Sequence, residues 1–543
     1  MGAIARSAGF GLSGIAVLAG LAVEADARAV SGPGIPRTRY DDTAVFAPLS
    51  EFHSPERTSW GNGVFLDGYL LIGFDVDEDS SGFQVWDISD PRAPRMVAQK
   101  CDAETKRLRE IQGFSFAHGY GRTLAAIPSH EGLEIWDFTD IKEPHRHASV
   151  DLAHGGGRAI YNGIISAAWQ PPFIYCGGMD GGIYVVDASD PGKPKLHKNI
   201  PNSALNGRLA GPIFALGTLL VATTMEFLNE NCAITTFDIS DPSDPQIRDR
   251  YSCGSHEGNY TATFNGHHVY GMGSTGRLQV YEVSGFDVYK QGQDSVWVGH
   301  GGYGVFQDGY IHAGMSNWYV KYDVGGFIPW KMGKFRLSGD NDWVLPIGNL
   351  AFVGDDDGPT SAAALVPHQA GPDSLGPTVN WSVPYSGAVH VASTARIGLS
   401  FTDNIDFASV DGRCLSVRNA GGDPVPGRIS VTGALVNFSP DKPFEAGADY
   451  EVRVSAGGFR DWGGNPVPRD TLIAFTTEWP SGIAGGGPRL SRSGRDYRLL
   501  QPSSGGRNPA PGARDMLGRG NPRGTVSNRI HVAAGLYAVP VPP

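Results

Sequence analysis

One short motif recurs along the first half of the chain at nearly constant spacing, and it restricts the possible folds more than any other feature. Each clear copy alternates apolar with mixed residues, reaches an Asp, and ends at a second Asp three residues later, usually followed by Pro. Clear copies occupy residues 82–91, 132–140, 182–191 and 233–242, and weaker copies occupy 278–284 and 318–324. The first aspartates of the clear copies, Asp87, Asp137, Asp187 and Asp238, lie 50, 50 and 51 residues apart. An alternation of period two predicts a strand, and Asp-Pro predicts its end because proline has no N–H for the ladder.

A second periodic feature interleaves with the first. Asp-Gly or Asn-Gly stands between two apolar runs at Asp67-Gly68, Asn162-Gly163, Asn265-Gly266 and Asp308-Gly309. These dipeptides predict two-residue type I′ hairpins, in which both central residues need positive φ. The pairs His118-Gly119, Leu216-Gly217 and Ile347-Gly348 occupy the equivalent place, so seven hairpins follow one another at intervals of 39 to 54 residues.

Together these features predict four antiparallel strands in every ~40–50 residues, which is the pattern of a β-propeller blade. We therefore expect an all-β protein with a propeller of about seven blades over residues 30–370. A chain of small sandwiches is disfavoured because it would need linkers between the units. The unit at residues 343–367 is one strand short, and residues 43–52 are the candidate for that outer strand. Six blades remain an alternative.

The repeated segment resembles the LVIVD repeat of bacterial surface and secreted propellers. The residues that carry the resemblance are the apolar run, the Asp and the Ser-Asp-Pro turn, as in Val85-Trp-Asp87-Ile-Ser-Asp-Pro91. The resemblance covers about residues 60–330 and is specific in the four clear copies. It implies a propeller, and it implies no particular reaction.

The chain changes character after residues 371–376, which are predicted to form a linker. A chain of 543 residues is too long for a single hydrophobic core, so a second domain is expected. Short apolar strands separated by turn residues predict an Ig-like β-sandwich over residues 377–478. The segments Phe438-Ser-Pro440, 459–466 and Phe475-Thr-Thr477 resemble the bacterial Ig-like domain of surface-layer proteins. That resemblance implies a spacer or an adhesion unit.

Both ends of the chain have unusual composition. Residues 1–29 are predicted to be a signal peptide, with a short apolar stretch and small residues at Ala25, Ala27 and Ala29. Residues 479–543 are rich in Gly, Pro and Arg, which is typical either of a degenerate sorting segment or of disorder. No later apolar run has the ~20 residues of a membrane span. We therefore expect an exported protein, secreted or on the cell surface, with the periplasm as an alternative.

Charge and cysteine content exclude some classes of protein. The net charge is −12, and residues 481–543 carry nine Arg and two Asp, so the remainder carries about −19. An acidic body argues against nucleic-acid binding, which depends on neutralising phosphates. Five cysteines permit one disulfide, and Cys232 and Cys253 are close enough in sequence to bridge neighbouring strands.

The chain lacks the common hydrolase and nucleotide-binding motifs, so the repeat topology is the guide to a site. Polar residues recur eight or nine positions before the hairpin turns, where the crossover between blades enters the inner strand. This predicted ring at the channel mouth consists of Glu110, His154, Arg208, His256, Glu257 and His300, with Asp340 near the same place in the last unit. Imidazoles and carboxylates in such a ring favour a divalent cation or an anionic ligand. The alternative is that these are ordinary polar residues of solvated loops.

Two acidic segments belong to the same rim of the predicted propeller. Asp75, Asp77 and Asp79 have the spacing of a calcium loop, although the following Gly and the final Glu of such a loop are missing. A plain hairpin tip is the competing interpretation. The segment Asp355-Asp356-Asp357-Gly358 is likewise either a turn or a weak cation site.

Two functions of different classes are compatible with these features. The first is a non-catalytic binding or adhesion protein that presents a propeller face to a protein or glycan at the cell surface, with the Ig-like domain as spacer. The second is an extracellular hydrolase or lyase that uses a ring histidine as general base or metal ligand. The expected cofactor in either case is at most a divalent cation.

The signal-peptide hypothesis predicts a defined mature N-terminus. We expect the protein recovered from a secreting host to lack residues 1–29, or 1–27 if the earlier small-x-small site is used. The intact mass of the recovered protein measures this directly. Recovery of the unprocessed mass outside the cytoplasm would contradict the hypothesis.

Overall fold

A computed structural model of the chain describes residues 45–55, 58–77, 80–108, 113–152, 163–179, 181–206, 210–224, 233–253, 259–273, 276–294, 301–316, 318–356 and 361–479. Within these residues the regular structure consists of β-strands and two short 3-10 helices, Asn202–Leu205 and Phe407–Ser409. The all-β class predicted from the sequence is therefore confirmed. Contacts group residues 1–500 into one compact unit, and the second unit, 501–543, lies outside the described residues.

The first twenty-eight strands form seven four-stranded antiparallel units. The N-terminal strand and the first three units are β1 (Ser50–His53); β2 (Ser59–Leu66), β3 (Tyr69–Asp77), β4 (Ser80–Asp87), β5 (Arg95–Lys100); β6 (Ser115–Ala117), β7 (Leu124–Ser129), β8 (Gly132–Asp137), β9 (His145–Asp151); β10 (Ile164–Gln170), β11 (Phe173–Gly178), β12 (Gly182–Asp187), β13 (Lys195–Ile200). The other units are β14 (Ala210–Leu216), β15 (Leu219–Thr224), β16 (Ala233–Asp238), β17 (Gln246–Ser252); β18 (Asn259–Phe264), β19 (His268–Gly273), β20 (Leu278–Ser284), β21 (Asp287–Gln293); β22 (Gly304–Gln307), β23 (Tyr310–Gly314), β24 (Tyr319–Asp323), β25 (Trp330–Phe335); and β26 (Trp343–Ile347), β27 (Leu350–Gly354), β28 (Ala362–Pro367).

Aspartates close the turn between the third and fourth strand in five of the units, through Asp87, Asp137, Asp187, Asp238 and Asp323. In the first unit Asp87 Oδ1 accepts hydrogen bonds from the backbone N–H of Ser89 at 3.0 Å and from its hydroxyl at 2.6 Å. Burial raises the pKa of Asp87, but the hydrogen bonds from Ser89 and the neighbouring Arg95 outweigh it and hold the pKa below its usual value. The second Asp of the motif, Asp90, accepts the N–H of Arg92 at 3.0 Å. The motif is thus a pair of side-chain-closed turns.

The predicted type I′ hairpins form only in part. Both central residues have positive φ at Asp67-Gly68 (51° and 82°) and at Asp308-Gly309 (46° and 83°), as predicted. At Asn265-Gly266 only the glycine does, so the prediction is wrong there. The reason is a three-residue loop in which Asn265 Oδ1 accepts the N–H groups of His267 (3.2 Å) and His268 (2.8 Å).

An N-terminal strand completes the seventh unit. β1 pairs antiparallel with β28, with Ser50 opposite Leu365, so the sheet order is β1-β28-β27-β26. The sequence proposed residues 43–52 for this strand, and the paired segment is Ser50–His53. Trp60 of β2 is fully buried against Phe352 of β27, at 5.7 Å between ring centroids. The seventh unit therefore packs on the first, and one sheet contains both the start and the end of the repeat region.

The remaining strands form the predicted β-sandwich. They are β29 (Val379–Val383), β30 (Ala388–Val391), β31 (Ile397–Phe401), β32 (Leu415–Asn419), β33 (Gly427–Thr432), β34 (Leu435–Pro440), β35 (Asp449–Val454) and β36 (Thr471–Thr477). One layer has the order β29-β31-β34-β33 and the other β30-β36-β35-β32. Leu399, Phe438, Val452 and Phe475 are among the buried residues of its core.

The β-sandwich is joined to the propeller by a shared sheet. β33 pairs antiparallel with β6, with Ser430 opposite Ala117 and Val431 opposite Phe116, so the second unit and one sandwich layer form a continuous eight-stranded sheet. Phe116 also stacks on Phe407 at 4.9 Å between centroids. Because backbone pairing satisfies N–H and C=O groups that would otherwise be exposed at a sheet edge, it fixes the sandwich in one register.

The sandwich touches the turn between the first and second strand of every unit. The contacts are Asp67 with Asp406, His118 with Ile429, Pro171 with Arg396, Gly217 with Asn437, Asn265 with Ser400, Asp308 with Thr402, and Gly348 with Gly463. Asn437 is the most connected of these residues. It accepts the N–H of Gly217 at 2.8 Å, accepts from Gln170 at 3.1 Å and donates to Ala215 O at 2.9 Å. We call this side of the propeller the hairpin rim, and the Ig-like domain covers it.

The close approach at Gly398 provides a test of this docking. A Cβ atom at Gly398 would lie 2.2 Å from the backbone N of Gly217, whereas at Gly412 it would meet nothing within 4 Å. We expect Gly398→Ala to lower the free energy of unfolding by about 1–3 kcal/mol, because the two backbones must separate. Gly412→Ala should be neutral or slightly stabilising. Urea unfolding of both variants measures the difference, and equal effects would contradict the described docking.

Candidate functional site

The residues of the predicted ring at the channel mouth are not among those that the structure describes. Glu110, His154, Arg208, His256, Glu257 and His300 all lie outside the described residues, as does Asp79. Asp75 and Asp77 are described and belong to β3, where they pair with Ser81 and Ser80 of β4. The ring and the calcium loop therefore remain predictions.

Only one cysteine of the predicted disulfide is among the described residues. Cys253 is disulfide-bonded, and Cys232 lies outside the described residues.

Described residues do form an acidic cluster on the crossover rim, the side of the propeller opposite the hairpin turns. Asp340 and Asp342 lie between β25 and β26, and Asp356 follows β27. One carboxylate oxygen from each lies within 4.8 Å of the other two. We call these three residues the crossover-rim cluster. It joins Asp340 and Asp356, which the sequence singled out, with Asp342, which it did not.

Backbone hydrogen bonds hold the crossover-rim cluster in place. Asp342 Oδ1 accepts the N–H of Ser316, from the loop after β23, at 3.0 Å. The N–H of Asp340 donates to Asp355 Oδ1 at 3.0 Å, and the N–H of Asp356 donates to Asp340 O at 3.0 Å. The cluster is thus assembled from loops of the last two units, and its side chains do not rely on a single flexible segment.

The crossover-rim cluster concentrates negative charge in a buried place. Asp342 is only 4% exposed. Burial raises its pKa well above the usual value, and the charges of Asp356 and Asp340 raise it further. Three carboxylates this close need a shared proton or a bound cation to relieve their repulsion. An all-oxygen set of this kind suits a hard divalent cation such as Ca²⁺.

A cavity of about 180 Å³ runs along the propeller axis beside the cluster. Residues of all seven inner strands line it. Tyr303 and Trp343, whose rings stack at 3.6 Å between centroids, lie in its wall, and the N–H of Tyr303 donates to Asp342 O at 3.1 Å. Ile405, Leu435 and Trp462 of the Ig-like domain also line the cavity. The Ig-like domain therefore occupies the end of the channel at the hairpin rim.

Sequence reasoning missed Asp342 for an identifiable reason. The predicted ring consists of one position in each repeat, and Asp342 lies two residues beyond it. The signal available in the sequence was the pair Asp340-Asn-Asp342 in the last crossover together with the acidic run at 355–357. The sequence does not show that these two segments meet. Their proximity is visible only in the fold, where the two loops are neighbours.

Comparisons with known proteins agree with the two resemblances drawn from the sequence. Residues 172–200 match the LVIVD repeat, and residues 373–477 match a bacterial Ig-like domain. The repeat match covers β11 to β13, the second to fourth strands of the third unit. Both predicted relationships are thereby confirmed for these segments.

The chain resembles the crystal structure of the computationally designed Ika8 protein, with 11% identity, a TM-score of 0.38, and coverage of 60% of this chain and 99% of the designed one. No curated protein matches the sequence. Among the described residues, no helix is both long enough and apolar enough to cross a membrane.

Substitutions at Asp342 separate its hydrogen bond from its charge. Asp342→Asn keeps an oxygen for the N–H of Ser316 and removes one buried charge, so the free energy of unfolding at pH 8 in EDTA should equal or exceed the native value. Asp342→Ala leaves that N–H without its acceptor and should cost about 1–3 kcal/mol. Urea unfolding at pH 8 measures both variants. Equal losses in both would rule out this account of the cluster.

Proposed function

We propose that the chain is an exported, surface-type binding protein that engages a protein or glycan through the crossover rim of its propeller. The LVIVD repeat and the bacterial Ig-like domain support a repeat protein of the surface type. The site follows from topology, because the propeller has two rims and the described contacts differ between them.

The docking of the Ig-like domain is the observation that carries this proposal. It touches the turn at the hairpin rim of every unit, and its side chains line the adjoining end of the channel. A partner of the propeller would compete with these internal contacts at the hairpin rim. Among the described residues, the contacts of the Ig-like domain with the propeller turns lie at the hairpin rim, so the crossover rim is the favoured face for an external ligand.

The chemistry at the crossover rim supports a polar ligand. The crossover-rim cluster supplies carboxylates, and the channel wall beside it contains the partly exposed ring of Tyr303, which stacks on the fully buried Trp343. Aromatic rings beside hydrogen-bonding groups are a common way to bind a sugar ring or a protein side chain, since one group provides contact area and the other fixes orientation. The histidines predicted from the sequence, His154, His256 and His300, would add groups to the same rim.

The Ig-like domain has a more specific role in this proposal than that of a spacer. Because it shares a sheet with the propeller through β33 and β6, it would move with the propeller as one body. It would then hold the crossover rim in a fixed orientation. A spacer role toward a cell surface remains part of the proposal.

Binding by the full chain to an array of bacterial and host polysaccharides, and to purified envelope proteins, tests the function. For each ligand found, we expect the triple variant His154→Ala/His256→Ala/His300→Ala to bind at least about tenfold weaker, because it removes polar contacts from the proposed face. The matched control is His53→Ala/His147→Ala/His197→Ala, which changes three histidines on the outer strands β1, β9 and β13. The control should bind as the native chain does.

Two results would contradict the proposal. One is an equal loss of binding in the two triple variants, which would remove the crossover rim as the ligand face. The other is release of a cleaved product from a bound ligand, lost in the first triple variant and kept in the control. That second result would establish the hydrolase or lyase function instead.

A further inference from the structure

A second acidic cluster lies where the Ig-like domain meets the propeller, away from the crossover rim. One carboxylate oxygen from each of Asp373, Asp403 and Asp461 lies within 4.8 Å of the other two. Asp403 follows β31, Asp461 follows β35, and Asp373 belongs to the segment that leads from the propeller into the sandwich. We call these three residues the junction cluster. Asp403 is fully buried and Asp461 is 1% exposed.

Every carboxylate oxygen of the junction cluster accepts at least one hydrogen bond from a described residue. Asp461 Oδ1 accepts the N–H of Asn465 at 2.8 Å, and the side-chain amide of Asn465 donates to Asp373 Oδ2 at 3.0 Å. Asp403 Oδ1 accepts the N–H of Asn404 at 2.6 Å. These bonds fix the directions of the three side chains toward one another, although like charges would otherwise drive them apart.

The side chain of Gln307 provides an independent sign that a cation belongs here. Gln307 ends β22 in the propeller and is 3% exposed. Its Nε2 donates to Asp403 Oδ2 at 3.0 Å and to Gly348 O at 3.2 Å. Its Oε1 is buried and accepts no hydrogen bond from any described residue. A buried amide oxygen without a donor is unfavourable, and an amide oxygen is also a normal calcium ligand.

Rotation of the Gln307 side-chain amide would place its unpaired oxygen next to the junction cluster. A half-turn about the last side-chain bond of Gln307 exchanges Oε1 with Nε2, removes the donor from Asp403 Oδ2 and Gly348 O, and brings the oxygen next to both. Two acceptor oxygens repel each other at that distance unless a cation lies between them. A cation would therefore satisfy the Gln307 oxygen and the carboxylates at the same time.

The electrostatics of the junction cluster also require positive charge. Burial raises the pKa of Asp403 well above its usual value, and the charges of Asp461 and Asp308 add to the rise. Burial together with Asp373 and Asp308 raises the pKa of Asp461 to about 8. Asp308, in the propeller hairpin turn, is thus a fourth acidic group acting on the same place. Several buried carboxylates without a counter-charge are costly, so either protons or a metal ion must compensate them.

We propose that the junction cluster binds one divalent cation of the calcium class, with the amide oxygen of Gln307 as a further ligand. All the candidate ligands are oxygens, which hard cations prefer over nitrogen- or sulfur-preferring metals. Burial of Asp403 and Asp461 leaves little room for the several waters that Mg²⁺ retains, which favours Ca²⁺. The site is separate from the proposed ligand face and does not depend on it.

The candidate ligands come from both domains, so a bound cation would act on the contact between the domains. Gln307 comes from the propeller, Asp403 and Asp461 come from the sandwich, and Asp373 comes from the segment between them. A ligand that binds only the docked form stabilises that form by mass action. Calcium would therefore strengthen the contact between the Ig-like domain and the hairpin rim.

Calcium binding by the full chain tests the proposal. After EDTA treatment and removal of the chelator, we expect 1 mM CaCl₂ to raise the Tm of the native chain by about 5 °C. Asp461→Asn should bind calcium at least about tenfold more weakly in calorimetric titration, because one charged ligand is replaced by a neutral one. The matched control Asp423→Asn, at an exposed position of the same domain, should respond as the native chain does.

A second property of the variants separates metal binding from a purely structural role. In EDTA at pH 9, above the pKa of about 8 of Asp461, Asp461→Asn should be at least as stable as the native chain, because it removes one repelling charge and keeps Oδ1 as acceptor for the backbone N–H of Asn465. It gives up only the longer bond from the Asn465 side-chain amide to Oδ2, at 3.3 Å. Asp373→Asn, at a less buried position, should repeat the pattern if the first variant folds poorly. The proposal is overturned if the native Tm does not respond to calcium. It is also overturned if Asp461→Asn and Asp373→Asn respond as fully as Asp423→Asn, which would place the calcium elsewhere.

Discussion

The docking of the Ig-like domain on the hairpin rim is the constraint on which the rest of the structure depends. A propeller alone has two accessible rims and an open channel. Here β33 extends the sheet of the second unit, and Asn437 satisfies the buried N–H of Gly217. Polar groups in such a place must be paired, so the interface tolerates one arrangement only. The Ig-like domain consequently occupies one end of the channel, and the other end lies at the crossover rim. One acidic cluster therefore lies beside the channel at the crossover rim, and the other lies at the interface between the domains.

In the two proposals, similar residues serve different purposes in the two clusters. The crossover-rim cluster is built by loops of the last two units and adjoins the stacked Tyr303–Trp343 pair at the channel. The junction cluster is built by both domains and is enclosed between them. Carboxylates beside a channel can meet a ligand, whereas carboxylates enclosed at an interface can only act on the interface. Both clusters consist of aspartates, so the proposed difference between a ligand face and a structural cation site rests on where each cluster lies in the fold.

Much of the fold could be predicted from the sequence because it is local and repeated. The Asp-Pro motif specifies its own turn through Asp87 and Ser89, and each copy repeats the signal. The turn at Asn265 departs from the predicted type because its side chain closes a longer loop, which the dipeptide does not reveal. The repeat pattern does not predict the docking of the sandwich or the proximity of Asp373, Asp403 and Asp461. These contacts join segments that are far apart in sequence. The site predictions rested on one repeat position, so they reached Asp340 and missed Asp342.

Hydrogen exchange at the two kinds of turn tests the central claim most directly, because both kinds occur in the same unit and are read in one experiment. In the native chain we predict slow exchange in peptides covering the hairpin turns at 116–121, 214–219 and 305–310, where the N–H groups of His118, Gly217 and Asp308 donate to the Ig-like domain. Peptides covering the Asp-Pro-type turns at 88–94, 138–144 and 188–194 serve as internal references and should exchange faster, because most of their N–H groups donate only to acceptors within the same exposed turn. Equal, fast exchange in both sets would show that the Ig-like domain does not cover the hairpin rim.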